Sequence, residues 1–169
     1  MSVSIRAYRP TDHSVCRALW AELTEVQRDL YDDPDLGGPD PSAGFEEYLT
    51  RLDLSGMWVA EHSEDGVIGL IGLTLSSGRA GEVYPVVVTQ RHRSKGVGRA
   101  LLAHVADQAR KRSLRQLVVM PESRNIAAIK VLHATGYDTL DAVRLTLDLT
   151  GTERTNGDEI DLHGLRFRT

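Results

Sequence analysis

Hydrophobic residues recur along the chain with two different periods, which predict helices and strands in a definite order. Near-helical spacing of apolar residues predicts a long helix over residues 12–30 and shorter helices over residues 45–52, 98–112 and 126–135. Short apolar runs bounded by turn residues predict strands over residues 5–8, 57–62, 67–75, 82–88 and 117–120. A further strand with one buried face is predicted by the alternation of polar residues with Val143, Leu145, Leu147 and Leu149.

The order of these elements predicts an α/β fold. They follow one another as β-α-α-β-β-β-α-β-α-β, which predicts a single-domain mixed β-sheet flanked by helices. We expect this domain to span residues 1–150. Residues 151–169 are expected to form a C-terminal extension, in which a polar loop precedes a weaker strand pattern at Ile160, Leu162 and Phe167. The sequence leaves open whether this extension completes the sheet or reaches a second copy in a homodimer.

The composition is that of an ordinary globular protein and narrows the classes of partner. The chain has 169 residues, of which 41% are hydrophobic and 26% are charged, and this suits one domain with a sizeable core. No apolar run approaches the roughly 20 residues that a membrane span needs. The first ten residues predict neither a signal peptide nor a transit sequence, and Cys16 is the only cysteine. We therefore expect a cytoplasmic protein without a membrane partner.

The net charge of −4 conceals a separation of charges along the chain. Residues 22–47 carry nine acidic residues against Arg28 alone, whereas residues 91–115 carry eight basic residues against Asp107 alone. Two solvated faces would explain these segments, but the segments also suit a basic site for an anionic cofactor beside an acidic site for a cationic substrate. Because the basic segment is short and lacks interleaved aromatic residues, we expect no nucleic-acid partner.

A glycine-rich basic turn between a strand and a helix is the most informative motif in the sequence. It comprises residues 93–98, Arg-Ser-Lys-Gly-Val-Gly, and follows the apolar run that ends at Val88. Glycines let backbone N–H groups converge, and the helix N-terminus adds about half a positive charge, so the turn suits a polyphosphate. A Walker A loop is absent, and Leu101 stands where a dinucleotide-binding fingerprint requires its third glycine.

Two motifs, in this order, resemble those of the GNAT-type N-acetyltransferases. Arg93-x-x-Gly96-x-Gly98 resembles the acyl-CoA-binding motif of that family, and Asn125-x-x-Ala128 followed by Gly136-Tyr137 resembles its second signature. The order of elements over residues 3–149 also matches the family. The resemblance implies a GNAT-like acyl-CoA acyltransferase fold and direct transfer of acetyl from acetyl-CoA to a primary amine in a ternary complex. The implied contacts with acetyl-CoA are Val86, Val87, Val88, Arg93, Ser94, Lys95, Gly96, Val97, Gly98, Arg99 and Asn125.

The resemblance assigns the catalytic groups only in part. Glu82, at the start of the central strand, is the predicted general base, acting directly or through a water. The tyrosine that often serves as general acid in the family is replaced here by Leu132. His133 is the nearest substitute, although one residue along a helix turns a side chain by about 100°. This departure leaves a non-catalytic acyl-CoA-binding sensor or interaction module as the alternative function.

Three further features bear on the site. Pro85 lies within the central strand and cannot donate a ladder hydrogen bond. The resemblance implies that this strand diverges from its neighbour and frees backbone at residues 86–88 for the pantetheine arm, although a simple edge position would also explain the proline. The acidic residues 29–47 favour a cationic small-molecule or peptide amine as acceptor. The six histidines show no paired ligand spacing, so we expect no metal site.

Overall fold

The computed structural model describes residues 2–51, 56–76, 79–147, 149 and 158–169, which form two compact units, Met1–Met120 and Pro121–Thr169. The strands of the first unit are β1 (Val3–Ala7), β2 (Met57–His62), β3 (Gly66–Ser76), β4 (Ala80–Val88) and β5 (Gln116–Val118). Its helices are α1 (His13–Tyr31), α2 (Gly44–Arg51) and α3 (Val97–Lys111). The second unit contains α4 (Ile126–Ala134), β6 (Glu159–Leu162) and β7 (Leu165–Arg168).

A five-stranded mixed sheet, in the order β1-β2-β3-β4-β5, forms the centre of the first unit. Strands β1 to β4 pair antiparallel with their neighbours, whereas β5 runs parallel to β4. The middle strands β2 and β3 consist of nearly continuous apolar residues, because both faces of the sheet are covered there. The predicted α/β fold with a mixed sheet is therefore confirmed. Within the described residues, no helix combines the length and the apolar character that crossing a membrane requires.

Helices α1 and α3 cover opposite faces of this sheet, because successive residues of a strand point to opposite sides. Met57 and Val59 of β2 lie in one core cluster with Leu19 of α1. Trp58, between them, instead contacts His104 of α3, with 5.4 Å between the ring centroids. Each helix thus buries one apolar stripe, which is the origin of the helical spacing in the sequence.

The strand predicted over residues 143–149 does not form in the described part of that range, and this prediction was wrong. Its described residues, 143–147 and 149, have no regular secondary structure, and Val143, Leu145 and Leu147 are exposed. Alternating sequence makes a strand only where a neighbouring strand supplies backbone hydrogen bonds, and these described residues belong to neither of the two sheets. The strands of the second unit are instead β6 and β7, which pair antiparallel. The division predicted at residue 150 stays a prediction, since residues 150–157 lie outside the described residues.

Candidate functional site

The central strand β4 departs from regular pairing on both of its sides, close to Pro85. On the β3 side, Ile71 pairs with Val86 but Leu73 pairs with Val83, so Tyr84 and Pro85 together oppose a single residue in a β-bulge. On the other side, β4 pairs with β5 only over its first three residues, 80–82. Within the described residues, β4 is therefore a central strand up to residue 82 and an edge strand beyond it. The predicted divergence is confirmed, and both explanations of the proline hold.

The basic turn after β4 is shaped by two residues with left-handed backbone. Ser94 has φ 60° and Gly96 has φ 84°, and α3 begins directly after Gly96. Left-handed residues within such a turn direct successive N–H groups toward one concave side, and the first N–H groups of a helix have no helical acceptor. Val97 is buried and anchors the start of α3 in the core. The turn is therefore suited to offer several backbone donors to an anionic ligand.

Glu22 of α1 holds the beginning of this turn in place. Its Oε1 accepts a hydrogen bond of 2.7 Å from Thr89 Oγ1, and its Oε2 accepts one of 2.9 Å from the Gln90 N–H. Arg93 Nε donates to the Val88 carbonyl at 2.9 Å, and the Arg93 guanidinium lies 3.5 Å from Glu22 Oε2. Sequence reasoning missed Glu22 because it lies 67 residues before its partner Thr89.

The basic residues of the turn fall into two groups. Arg93 is engaged by Val88 and Glu22, as described above, and Arg91 lies 3.4 Å from Asp65 Oδ1. Lys95 and Arg99 are exposed and form no hydrogen bond or ion pair with any part of the chain that the structure describes. These two cations are therefore available to an anionic ligand, whereas Arg93 shapes the turn that would hold it.

The two glycines of the turn differ in what a side chain would meet. A Cβ on Gly96 would have no heavy atom within 4 Å, but the left-handed φ would strain it. A Cβ on Gly98 would meet only Val88 Cγ2, at 4.0 Å, and the backbone there is ordinary. Nothing among the described residues therefore requires glycine at position 98, and the space beside it suits a ligand.

Tyr48 of α2 lies against the β-bulge of β4. Its hydroxyl donates a hydrogen bond of 2.6 Å to the Tyr84 carbonyl. Its ring lies 5.1 Å from that of Trp20 and 6.0 Å from that of Tyr84, centroid to centroid. Burial raises the pKa of Tyr48, and the nearby Tyr84 and Glu82 raise it further, so its hydroxyl stays protonated. No sequence motif indicated Tyr48, because its role arises from the packing of α2 on the sheet.

Glu82, the predicted general base, lies on β4 two residues before Tyr84. It is half-buried and faces Thr74 of β3 across the ladder. Its carboxylate forms no hydrogen bond or ion pair within the described ranges of the chain. A half-buried carboxylate without a protein partner is available to accept a proton from a bound molecule. Tyr84, 40% exposed, provides an aromatic surface next to it.

In the second unit, the Asn125-x-x-Ala128 motif has a structural explanation. Asn125 Oδ1 accepts a hydrogen bond of 3.1 Å from the Ala128 N–H and thereby caps α4. Gly136 follows the helix with φ 98°, a left-handed backbone that favours glycine. Asn125 and Gly136 therefore mark the beginning and the end of α4, close to the bounds predicted for this helix. Whether Asn125 also contacts acetyl-CoA stays a prediction.

The end of α4 contains Leu132, which replaces the usual tyrosine, and His133, the candidate general acid. Leu132 is buried, whereas His133, one position along, is exposed. Tyr137 has a buried hydroxyl without a hydrogen-bond partner among the residues that the structure describes, and burial raises its pKa. The structure describes this unit by itself, so the catalytic role of His133 stays a prediction.

The chain matches one family model and many solved structures. Residues 16–137 match the family model described as the acetyltransferase (GNAT) family. A search of curated proteins found no match. Among solved structures, a GNAT-family acetyltransferase from Staphylococcus aureus is similar with a TM-score of 0.63 at 16% identity, over 80% of this chain and 84% of that chain.

Two further solved structures have the same fold. AAC(6')-Iy, in complex with the bisubstrate analog CoA-S-monomethyl-acetylneamine, has a TM-score of 0.63 at 18% identity, over 88% of this chain and 99% of that chain. A ribosomal-protein-alanine N-acetyltransferase from Brucella melitensis has a TM-score of 0.61 at 22% identity, over 79% of this chain and 83% of that chain. At these identities the similarity is one of fold, and it confirms the predicted acyl-CoA acyltransferase fold.

Proposed function

Because the chain belongs to the GNAT acetyltransferase family, we propose that it transfers the acetyl group of acetyl-CoA to a primary amine. The observation that supports this proposal most is that the turn at residues 93–98 comes four residues after the end of β4, whose second half does not pair with β5. The turn suits a diphosphate, and the unpaired backbone edge of β4 suits an extended amide-containing arm. CoA contains both groups in this order.

Binding of the donor would use the backbone more than the side chains. The N–H groups around Gly96 and Gly98 would surround the diphosphate, and Lys95 and Arg99 would balance its charge. Residues 86–88 would offer backbone groups to the pantetheine arm. Arg93 would act indirectly, since its hydrogen bond to the Val88 carbonyl shapes the turn. One structural neighbour is named for a complex with a CoA-containing bisubstrate analog, which supports CoA as the ligand class.

The chemistry would take place in one ternary complex. The amine nitrogen forms a bond to the acetyl carbon while the carbon–sulfur bond of the thioester breaks. Glu82 would accept the proton that the amine loses, directly or through a water. A backbone N–H near residues 86–88 would stabilise the developing negative charge on the carbonyl oxygen. The thiolate must also take up a proton, which Leu132 cannot provide and which His133 is proposed to supply.

A cationic acceptor is supported by Glu82 more than by the acidic segment that suggested it. Within residues 22–47, five carboxylates form ion pairs with arginines: Glu22, Glu25, Asp40, Glu46 and Glu47. Their charges are largely neutralised locally. Glu82, half-buried and without an ion-pair partner in the described part of the chain, would attract an ammonium group and then deprotonate it. We therefore propose a small-molecule or peptide amine as acceptor, in a cytoplasmic setting.

Donor binding can be tested with variants that leave the protein itself undisturbed. Gly98→Ala adds a methyl group that meets only Val88 Cγ2 at 4.0 Å, so we expect unchanged or higher thermal stability. If the diphosphate lies against Gly98, CoA affinity measured by titration calorimetry should fall about tenfold or more, equivalent to at least ~1.4 kcal/mol. Normal CoA affinity in Gly98→Ala would contradict this position for the diphosphate.

A matched pair of lysines tests the charge contribution. Lys95 lies in the turn and Lys111 at the opposite end of α3, and both are exposed. Lys95→Ala should weaken CoA binding, and the loss should shrink at high salt because salt screens exposed charges. Lys111→Ala removes the same charge and should leave CoA affinity unchanged. Equal losses in both variants would indicate a general charge effect instead of a specific site.

The alternative function, a non-catalytic sensor, is favoured by the replacement of the usual tyrosine by Leu132. A measurement of turnover distinguishes the proposed enzyme from this sensor. Release of free thiol from acetyl-CoA should be followed with a panel of primary amines. Glu82→Gln should lower kcat by about 10²–10⁴-fold, the range of general acid–base catalysis, with CoA affinity retained. Tight CoA binding without thiol release for any amine would support the sensor.

A further inference from the structure

We infer that a divalent transition-metal ion of the zinc type binds to a histidine cluster formed by His62, Asp65 and His92. The cluster lies outside the acetyl-CoA motifs. One ligand atom from each residue can be chosen so that the three atoms lie within 4.8 Å of one another. Two imidazoles and one carboxylate form a donor set that suits zinc, cobalt and nickel better than magnesium or calcium.

The cluster joins two turns that lie at the same end of the sheet, where β2 and β4 finish. His62 is the last residue of β2, and Asp65 lies in the turn that leads to β3. His92 ends a short 3-10 turn, Gln90–His92, that follows β4. Pairing of His62 with Gly66 fixes the first turn, and a hydrogen bond of 2.9 Å from the Thr89 N–H to the Ile68 carbonyl fixes the second turn against it. The backbone thus holds the three side chains together before any ion binds.

Two of the three distances between ligand atoms of the cluster are close to those of a metal site. His92 Nε2 lies 2.8 Å from Asp65 Oδ2, and His62 Nδ1 lies 3.6 Å from the same oxygen. With metal–ligand bonds of about 2.0–2.1 Å, neighbouring ligands in a tetrahedral zinc site are roughly 3.3 Å apart. The two distances lie on either side of this value. Small rotations of the side chains would therefore bring the atoms into position without a change of backbone.

Both imidazoles are buried and lie close to each other. His62 is 8% and His92 is 7% exposed, and their ring centroids lie 5.0 Å apart. The Glu64 and Asp65 N–H groups both donate to His62 Nδ1 at 3.3 Å, so that nitrogen carries a lone pair, which is the form that binds a metal. These two hydrogen bonds are long, and an ion could replace them at modest cost.

The cluster opens onto a cleft of about 370 Å³, which leaves coordination positions for water. Glu64 also lines this cleft and offers a further carboxylate oxygen. Arg91 and Lys95 line it as well, and the Arg91 guanidinium lies 3.4 Å from Asp65 Oδ1. Their positive charges oppose a cation, but the Arg91 side chain is 79% exposed and can turn into solvent. Spacing along the chain did not indicate this site, because its members come from two turns.

Zinc binding can be measured without acetyl-CoA. Tag-free, chelator-treated protein should be titrated with zinc chloride and separately with magnesium chloride in a calorimeter at neutral pH. We expect one zinc ion per chain, a zinc-dependent rise in thermal stability and no response to magnesium. His62→Gln and His92→Gln should each weaken zinc binding at least tenfold. His163→Asn, at an exposed turn with φ 57° that asparagine tolerates, is the matched control and should bind zinc normally.

Three outcomes would overturn the inference: no saturable zinc binding, equal responses to zinc and magnesium, or unchanged affinity in the His62→Gln/His92→Gln double variant. Each would leave the Asp65–His92 hydrogen bond as a purely structural link between the turns. If the histidine variants do not fold, Asp65→Asn nearly preserves side-chain size while removing the charge, and unchanged zinc affinity in it would count equally against the site. A protein that binds CoA normally but does not bind zinc would contradict only this inference. A protein that binds zinc but does not bind CoA would contradict only the proposed function.

Discussion

Replacement of Gly72 by alanine is expected to destabilise the protein by about 2–4 kcal/mol. Gly72 lies on β3 opposite the bulge formed by Tyr84 and Pro85. A Cβ at this position would lie 1.9 Å from Tyr48 Oη and 2.4 Å from the Tyr84 carbonyl oxygen. Because the backbone fixes the position of a Cβ, the alanine itself cannot avoid these contacts. Either the Tyr48 ring or the strand must therefore move.

The magnitude follows from what each movement loses. Displacing Tyr48 breaks its 2.6 Å hydrogen bond to the Tyr84 carbonyl, which contributes about 0.5–1.5 kcal/mol. It also disturbs the contact of Tyr48 with Trp20 and Tyr84. Forcing an extra methyl group into a packed region adds about 1–3 kcal/mol. Urea unfolding should therefore show a lower midpoint with an unchanged slope for Gly72→Ala.

Two further variants separate the proposed cause from a general loss of glycine. Tyr48→Phe removes only the hydroxyl and should cost about 0.5–1.5 kcal/mol. In the Gly72→Ala/Tyr48→Phe double variant, the closest clash is gone, so the cost should be smaller than the sum of the two single costs. Gly98→Ala has no close contact and should be neutral or stabilising by about 0.4–1 kcal/mol. Gly72→Ala with wild-type stability, or strictly additive costs, would refute the reasoning.

Three other substitutions or reactions test separate parts of the structure. Asp12→Asn should destabilise the protein at neutral pH, because the Arg6 guanidinium holds the pKa of Asp12 below its usual range. This stabilisation is full above about pH 4, the pKa of an unfolded aspartate, and is lost as the pH falls through the lower pKa of the folded protein. The urea midpoints of the wild-type protein and the variant should therefore converge in acid. Burial raises the pKa of Cys16 to about 12. The thiol of the native protein should therefore react with a disulfide reagent far more slowly than the thiol of the urea-unfolded protein. Equal reaction rates would contradict the burial of Cys16. Asn125→Ala should lower the stability of the helix that Asn125 caps by about 1 kcal/mol, whereas Asn125→Asp keeps the acceptor oxygen and should lose less. Thermal unfolding followed by circular dichroism measures both variants, and an equal loss in the two would exclude the cap.

The elements that were predicted correctly are those with strong local signals. The helical spacing of Leu101, Leu102 and Val105 appears as the buried stripe of α3. Asn125 and Gly136 mark the two ends of α4, because a side-chain cap and a left-handed stop act within a few residues. The basic turn could be located for the same reason. The strand predicted over residues 143–149 failed because a strand requires a partner that the alternating pattern cannot provide.

The sequence by itself determined the α/β class, the place of the glycine-rich turn and, through two linked motifs, the family. These depend on residue type and short spacing, which local physical chemistry converts directly into structure. Only the tertiary structure decided which side chains meet across the sheet. It joined Glu22 to Thr89, set Tyr48 against the bulge at Tyr84, and brought His62 together with His92. Such contacts between distant residues depend on the register and packing of whole strands and helices, which no single segment encodes.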